Sequence, residues 1–226
     1  FRDYRFPKES PFLGPVKMSV TMANAGTQHN VIPAECTFTV DIRCTDAYSH
    51  EELLTIIKQH VNASEDDILI TDGTGMTGVV NKFQRILGLK IPENLQEFIH
   101  IPIDKKPVVF ISHMEHHSNQ TSWLETIADV EVIPSCEEGL FSLENLAQLV
   151  EKYKDRSFKI ASITSCSNVT GIKTPYHAAA KLMHQNNGLC FVDFACSGPY
   201  VAIDMHPEDP ESFLDAIFFS PHKFLG

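Results

Sequence analysis

Three segments decide the fold class: FKIASIT (158–164), TPYHAAAKLMHQN (174–186) and LCFVDFA (189–195). The first and third are short, almost continuously apolar runs of strand-forming residues, and the second has the apolar spacing of an amphipathic helix. Such runs are typical of parallel strands that are covered by helices on both faces. The sequence therefore predicts an α/β fold with a mostly parallel sheet.

The same alternation continues on both sides of these segments. KPVVFIS (106–112) has the pattern of a further buried strand, and ESFLDAIFFS (211–220) that of a helix running into a strand. GMTGVVNKFQRILGL (75–89) and LENLAQLVEKYKD (143–155) have the apolar spacing of helices. The α/β pattern thus extends over residues 65–226.

The first part of the chain has a different pattern. VKMSVTM (16–22) and CTFTVDIR (36–43) alternate apolar and polar residues, as in a half-buried pair of strands. Ser49, with Glu52 three residues later, predicts a capping box at the start of a helix. The acidic stretch NASEDDILITD (62–72), with a short strand ILI, marks a change of composition. We therefore predict a partial α+β segment at 1–64, a β-hairpin plus helix, and a second domain at 65–226.

Composition excludes several classes of protein. With 43% hydrophobic residues, the chain of 226 residues can bury a core, unlike a disordered protein. Its net charge of −11 disfavours nucleic acid or an anionic membrane surface as a partner. No apolar run approaches the ~20 residues of a membrane-spanning helix. The six cysteines form no CxxC pair, which disfavours zinc ribbons and thioredoxin-like proteins and agrees with the reducing cytoplasm.

A glycine-rich stretch precedes the helix at 75–89. Gly73, Gly75 and Gly78 surround Thr74 and Thr77. Backbone N–H groups and a hydroxyl at a helix N-terminus can bind a phosphate group. The stretch lacks the Gly-Lys-Ser/Thr of a Walker A loop, and it is also compatible with a plain glycine-rich helix cap.

Three further signals follow predicted strands. The segment SHMEHHSNQTSW (112–123) is compatible with a metal site, a cofactor-facing histidine or a polar loop, and its metal candidates are His113, Glu115, His116 and His117. Asp193, at the end of an apolar strand, is either a paired buried carboxylate or a capping residue. Lys223 is either an amine that forms a Schiff base or an ordinary surface lysine.

Four motifs together resemble the class V aminotransferase group of pyridoxal-phosphate enzymes (fold type I), which includes the cysteine desulfurases. They are MEHHSNQTSW (114–123), SCSNVTG (165–171), FVDFA (191–195) and SPHKFLG (220–226). The resemblance covers residues 66–226 and corresponds to the N-terminal part of the large domain. It implies an enzyme that acts on an amino acid, as a transferase or a lyase, and forms a homodimer.

The resemblance also implies a role for each matching residue. Lys223 would hold pyridoxal phosphate as a Schiff base, Asp193 would pair with the pyridine nitrogen, and His116 would stack on the ring. Asn168 would lie near the phenolic oxygen. The phosphate group would be bound by Gly75, Met76, Thr77, Ser220 and His222. Cys196 stands where cysteine desulfurases commonly have a glutamine, either as a reactive thiol or as a small buried side chain.

Residues 10–62 resemble the dimerisation (lid) domain of the peptidase family that contains acetylornithine deacetylase and succinyl-diaminopimelate desuccinylase. The most specific matches are GTQHNVIP (26–33) and the VDIR strand (40–43). The metal ligands of that family lie in a separate domain, so the resemblance implies no bound metal and no hydrolysis.

Both resemblances cover only parts of their families. We therefore expect a fusion of two fragments, with a truncated cofactor domain and doubtful turnover. The alternative is a non-catalytic dimerisation module, and a metal hydrolase is the third interpretation.

Overall fold

The structure is a computed structural model, and it describes residues 7–11, 14–15, 17–25, 36–43, 47–71, 75–220 and 223. Four strands and a helix come first: β1 (Glu9–Ser10), β2 (Gly14–Pro15), β3 (Lys17–Ala25), β4 (Cys36–Arg43) and α1 (His50–His60). The rest alternates helices and strands: α2 (Gly75–Ile86), β5 (Val108–Ser112), α3 (His117–Leu124), β6 (Asp129–Ile133), α4 (Leu143–Lys152), β7 (Lys159–Thr164), α5 (Tyr176–His184), β8 (Leu189–Asp193) and β9 (Ala216–Phe218). A 3₁₀ helix spans Glu93–Phe98.

The second part is built on one parallel sheet. Its strand order is β6-β5-β7-β8-β9, and every neighbouring pair is parallel. This confirms the predicted α/β class. Because all strands run the same way, their carboxyl ends lie along one edge of the sheet.

Both faces of the sheet are buried. On β5, Val108 and Phe110 pack in a cluster with α4 and α5, while Val109 and Ile111 pack with α2 and Trp123 of α3. All five residues of β5 are buried. Side chains alternate between the two faces of a strand, so burial on both faces explains why the strand sequence is continuously apolar.

The α1 helix begins as its sequence predicts. The Ser49 side chain accepts a hydrogen bond from the Glu52 N–H, and the Glu52 carboxylate accepts one of 2.8 Å from the Ser49 N–H. At its other end, α1 contacts the α/β part. Val61 is 4% exposed, and its carbonyl accepts a hydrogen bond of 3.1 Å from the Met205 N–H.

The predicted strands of the first part are confirmed. β3 and β4 pair antiparallel, with a register shift between Val20 and Met22. The loop that carries GTQHNVIP (26–33) lies outside the described residues. In the part of the chain that the structure describes, no helix is long and apolar enough to cross a membrane.

One helix was not predicted, and two predicted elements are wrong. Residues 117–124, for which a polar loop was one of three interpretations, form the helix α3. The stretch 211–215 is not helical, since Asp215 is held along β8, where its carboxylate accepts a hydrogen bond of 2.7 Å from the Cys190 N–H. The segment ILI (68–70) forms no strand, and Ile68 is 85% exposed.

The packing of α4 on the sheet makes a testable prediction. Leu146 is fully buried, so Leu146→Ala removes apolar contacts and leaves a cavity. We expect the free energy of unfolding in urea to fall by about 2–5 kcal/mol. Leu124→Ala is the control: its leucine is 58% exposed, and we expect a loss below about 1 kcal/mol. Equal losses in the two variants would contradict this assignment of the core.

Candidate active site

A cavity of about 220 Å³ lies at the carboxyl edge of the sheet. Nine of the ten residues that the resemblance to class V aminotransferases assigns to the cofactor site line it: Gly75, Met76, Thr77, His116, Asn168, Asp193, Cys196, Ser220 and Lys223. The tenth, His222, lies outside the described residues. The fold thus brings together residues from the beginning and the end of the α/β part, from Gly75 to Lys223.

One wall of the cavity is the first turn of α2. Gly75 begins this helix with φ = 75°, a left-handed conformation that favours glycine. Met76 and Thr77 follow it in the wall, and the Ser220 side chain lies in the same cavity. A helix N-terminus has unpaired N–H groups and a partial positive charge. This wall therefore has the chemistry of an anion site.

Asp193 ends β8 and is only 4% exposed. Its Oδ1 accepts a hydrogen bond of 2.7 Å from the Ala195 N–H. Burial raises the pKa of this carboxyl to about 6, although the Ala195 hydrogen bond and the charge of Lys223 act in the opposite direction. Among the residues that the structure describes, no other hydrogen bond to the carboxylate is found. One oxygen of this carboxylate therefore caps the turn at Ala195.

His116 is the N-cap residue of α3 and lines the cavity. Its Nδ1 lies 3.2 Å from the Ser118 backbone nitrogen, which donates to it, and 2.7 Å from Ser118 Oγ. Burial, followed by the charges of Lys223 and His117, lowers the pKa of the His116 imidazole. The ring is therefore neutral at pH 7, with Nδ1 as an acceptor.

Lys223 and Cys196 complete the cavity. The backbone N–H of Lys223 donates a hydrogen bond of 3.0 Å to the Ser220 carbonyl, which places both residues at one turn. Burial raises the pKa of the Cys196 thiol, and the neighbouring Cys166 adds to this effect. The thiol is therefore protonated near neutral pH, and a protonated thiol is a poor nucleophile.

Some residues of the site are not among those the sequence singles out. Ser118, Thr164 and Ala195 also line the cavity. Glu115 was considered only as a metal ligand, whereas the structure buries its carboxylate in a network of hydrogen bonds. Within the described part of the chain, no group of three or more histidine, cysteine or acidic residues is arranged to hold a metal ion. Position at a strand end is the sequence signal that Thr164 shares with Asp193.

Comparison with known proteins identifies the family to which the chain belongs. The sequence profile of the Aminotransferase class-V family matches residues 47–226, which is more than half of the chain. The chain belongs to the class-V aminotransferase family. A second profile, that of the peptidase dimerisation domain, matches residues 2–67. The two matches overlap at 47–67, the region that contains α1.

Relatives with curated names are cysteine desulfurases. The chain is 31% identical over 193 residues to a probable cysteine desulfurase of Halalkalibacterium halodurans, a match that covers 83% of this chain and 42% of the relative. It is 33% identical over 123 residues to a cysteine desulfurase of Escherichia coli, covering 52% of this chain and 28% of the relative. The chain therefore spans less than half the length of these class-V relatives.

Solved structures show the same fold. A cysteine desulfurase from Escherichia coli aligns with a TM-score of 0.58 at 23% identity, covering 78% of this chain and 40% of that one. The apo cysteine desulfurase of Thermococcus onnurineus aligns with a TM-score of 0.58 at 18% identity, covering 77% and 39%. The sheet and helices described above thus have the fold of these two cysteine desulfurases.

The buried carboxyl of Asp193 predicts a pH effect on stability. Its pKa of about 6 lies above the ~3.9 of an unfolded aspartate, so the folded state holds more protons between these values. The protonated Asp193 carboxyl therefore stabilises the folded state fully below about pH 4, and this stabilisation is lost as the pH rises through 6. Asp193→Asn keeps the acceptor for the Ala195 N–H and removes the titration. Relative to the variant, we expect the free energy of unfolding of wild type to fall by at most ~1.4 kcal/mol per pH unit over this range.

The measurement is urea unfolding at pH 4, 5, 6 and 7. Asp155→Asn, at an exposed aspartate, is the control and should keep the wild-type pH dependence. If the free energy of unfolding of Asp193→Asn fell with pH as steeply as that of wild type, the raised pKa of Asp193 would be contradicted.

Proposed function

We propose that this chain binds pyridoxal phosphate in the cavity at the carboxyl edge of the sheet and uses it to act on an amino acid. The observation that carries the proposal is the meeting of a buried carboxylate, Asp193, and a lysine amine, Lys223, in one cavity with a helix N-terminus. Membership of the class-V aminotransferase family supports it.

The residues present fit the cofactor. Asp193 has a carboxylate oxygen without a hydrogen bond from the described residues, and a protonated pyridine nitrogen is a donor that suits it. The first turn of α2, with Thr77, and the Ser220 hydroxyl suit a phosphate group. A neutral imidazole such as that of His116 can lie against an aromatic ring without the cost of burying a charge.

Each residue then has a defined task. Pyridoxal phosphate, when bound through a lysine amine, withdraws electrons from the α-carbon of an amino acid. Asp193, in its ionised form, holds a proton on the pyridine nitrogen. Lys223 Nζ would hold the cofactor covalently and, as a free amine, would accept and donate protons at the substrate carbon. His116 closes one face of the cavity, and Asn168 supplies a polar group at its rim.

Cysteine is the first substrate to consider, because the curated relatives are cysteine desulfurases. Cys196 marks a departure from these relatives, since it stands three residues after Asp193, where a glutamine is common in that group. Its protonated thiol cannot supply the two hydrogen-bond donors of a glutamine amide. The proposal is therefore made for an amino-acid substrate in general, with sulfur removal as one of the outcomes to be measured.

Cofactor binding makes the central prediction. Added pyridoxal phosphate should produce a visible absorption band, and borohydride reduction should fix the label on Lys223. Lys223→Ala should abolish the band, because it removes the amine that forms the covalent link. Lys105→Ala, at a lysine whose side chain is 66% exposed, is the control and should bind as wild type. A wild-type chain without a band, or an unchanged band in Lys223→Ala, would refute the proposal.

The substrate half of the proposal is measured on the loaded wild-type protein. Amino acids, with cysteine first, should change the band. If sulfur is removed from cysteine, alanine should be detected as a product, together with sulfide when a thiol reductant is added. A band that no amino acid alters would restrict the function to cofactor binding.

We also propose a homodimer, supported by the match of residues 2–67 to the peptidase dimerisation domain. The match favours a role of the first part in assembly, alongside the catalytic role of the second part. Sedimentation of the full chain should give twice the monomer mass of 25.3 kDa, with dissociation on dilution. A monomer at every concentration would contradict this part of the proposal.

A further inference from the structure

The side chain of Glu115 lies between three elements behind the cavity. Its Oε1 accepts hydrogen bonds from the Ser112 hydroxyl and, at 2.8 Å, from the Thr164 backbone N–H. Its Oε2 accepts one of 2.7 Å from Asn119 Nδ2. These donors belong to the end of β5, the end of β7 and the first turns of α3. One carboxyl group thus connects two strands and a helix.

The connection lies where the sheet itself stops joining the two strands. The last register pair between β5 and β7 is Ile111 with Ser162. Beyond it, the Thr164 N–H donates to Glu115 instead of to β5. The carboxyl group therefore continues the link between the strands at the edge that forms the cavity.

A second set of hydrogen bonds holds the partner of Glu115 in place. Asn119 Oδ1 accepts from Trp123 Nε1 at 3.1 Å and from Ser162 Oγ at 3.1 Å. Asn119 and Trp123 are fully buried. The donor that Asn119 offers to Glu115 consequently has a fixed position.

The turn that Glu115 anchors is the one that carries His116. His116 follows Glu115 directly in the chain and caps α3. His116 and Thr164 both line the cavity. Within this turn, the Glu115 side chain bonds to Ser112, Asn119 and Thr164, whereas His116 lines the cavity. A shift of the turn would therefore move the ring relative to the cavity.

We propose that Glu115 is a positioning residue of this cavity: its carboxyl group fastens the turn before α3 to the ends of β5 and β7 and thereby holds the His116 ring against the bound cofactor. This inference rests on the proposed function. Hydrogen-bond partners that orient metal ligands affect metal affinity by about 10–100-fold, and we expect a positioning residue of this cavity to act at the lower end of that range.

The electrostatics agree with this geometry. Burial, with a smaller contribution from the charge of Asp193, raises the pKa of Glu115 to about 7 against the effect of its three hydrogen-bond donors. Near neutral pH, Glu115 is therefore protonated in part of the molecules. A neutral Glu115 avoids a second buried negative charge near Asp193, which leaves Asp193 free to ionise.

The test uses the full chain loaded with pyridoxal phosphate. Glu115→Ala should weaken cofactor binding about tenfold and reduce the visible circular dichroism per bound cofactor about twofold, because the ring loses its fixed surroundings. Glu115→Gln keeps the size and an acceptor for the Thr164 N–H, so it should lie between alanine and wild type. Glu131→Ala is the control, since Glu131 also accepts hydrogen bonds, from Lys152 and Tyr153, but lies on β6, away from the cavity.

A second measurement needs no cofactor. In the unloaded chain, Glu115→Ala should speed the hydrogen exchange of the Thr164 amide and change the nitrogen resonances of the His116 ring, while Glu131→Ala should do neither. Wild-type cofactor dichroism and affinity in Glu115→Ala, or unchanged Thr164 and His116 signals, would overturn the inference. If wild type binds no pyridoxal phosphate, the proposed function fails, and the unloaded chain still decides whether Glu115 positions His116.

Discussion

The burial of both faces of the parallel sheet is the constraint on which the rest of the structure depends. It favours apolar residues along the central strands, and it requires helices on both sides. Most polar side chains of these strands lie at their ends, and the exception in the middle of β7, Ser162, is buried with its hydroxyl hydrogen-bonded to Trp123 and Asn119. Ser112, Thr164 and Asp193 occupy such ends, and two of them line the cavity. The polar groups of the strands at the site therefore lie at the carboxyl ends of the strands.

The same constraint sets the electrostatics of the site. Glu115 and Asp193 lie against an apolar layer, and burial is the first cause of the raised pKa of both carboxyls. Lys223 is the positive group that lowers the pKa of Asp193 and of His116. One cation thus acts on the pKa of a carboxyl group and of an imidazole in the same cavity.

Sequence patterns predict those parts of the fold in which local and tertiary preferences agree. The strands β5, β7 and β8 are apolar because they are buried, and the capping box of Ser49 is a local interaction. The helix α3 was missed because its sequence, HSNQTSWL, is polar and its burial depends on Trp123 and on distant Ser162. The helix predicted before β9 fails for a similar reason, since Asp215 bonds to Cys190 of β8. Motifs at strand ends indicated the cavity residues, but not the network behind them, because that network joins positions up to 49 residues apart.

The contact between α1 and the α/β part bears on where the chain can be divided. Val61 is buried in the core of the second part, and its carbonyl is the acceptor for the Met205 N–H. The Asn62 side chain donates to Asp204 and to the His206 carbonyl. An expression fragment that starts at residue 47, where the family match begins, would retain these contacts. One that starts at residue 65 would lose them and expose the apolar surface against which Val61 packs.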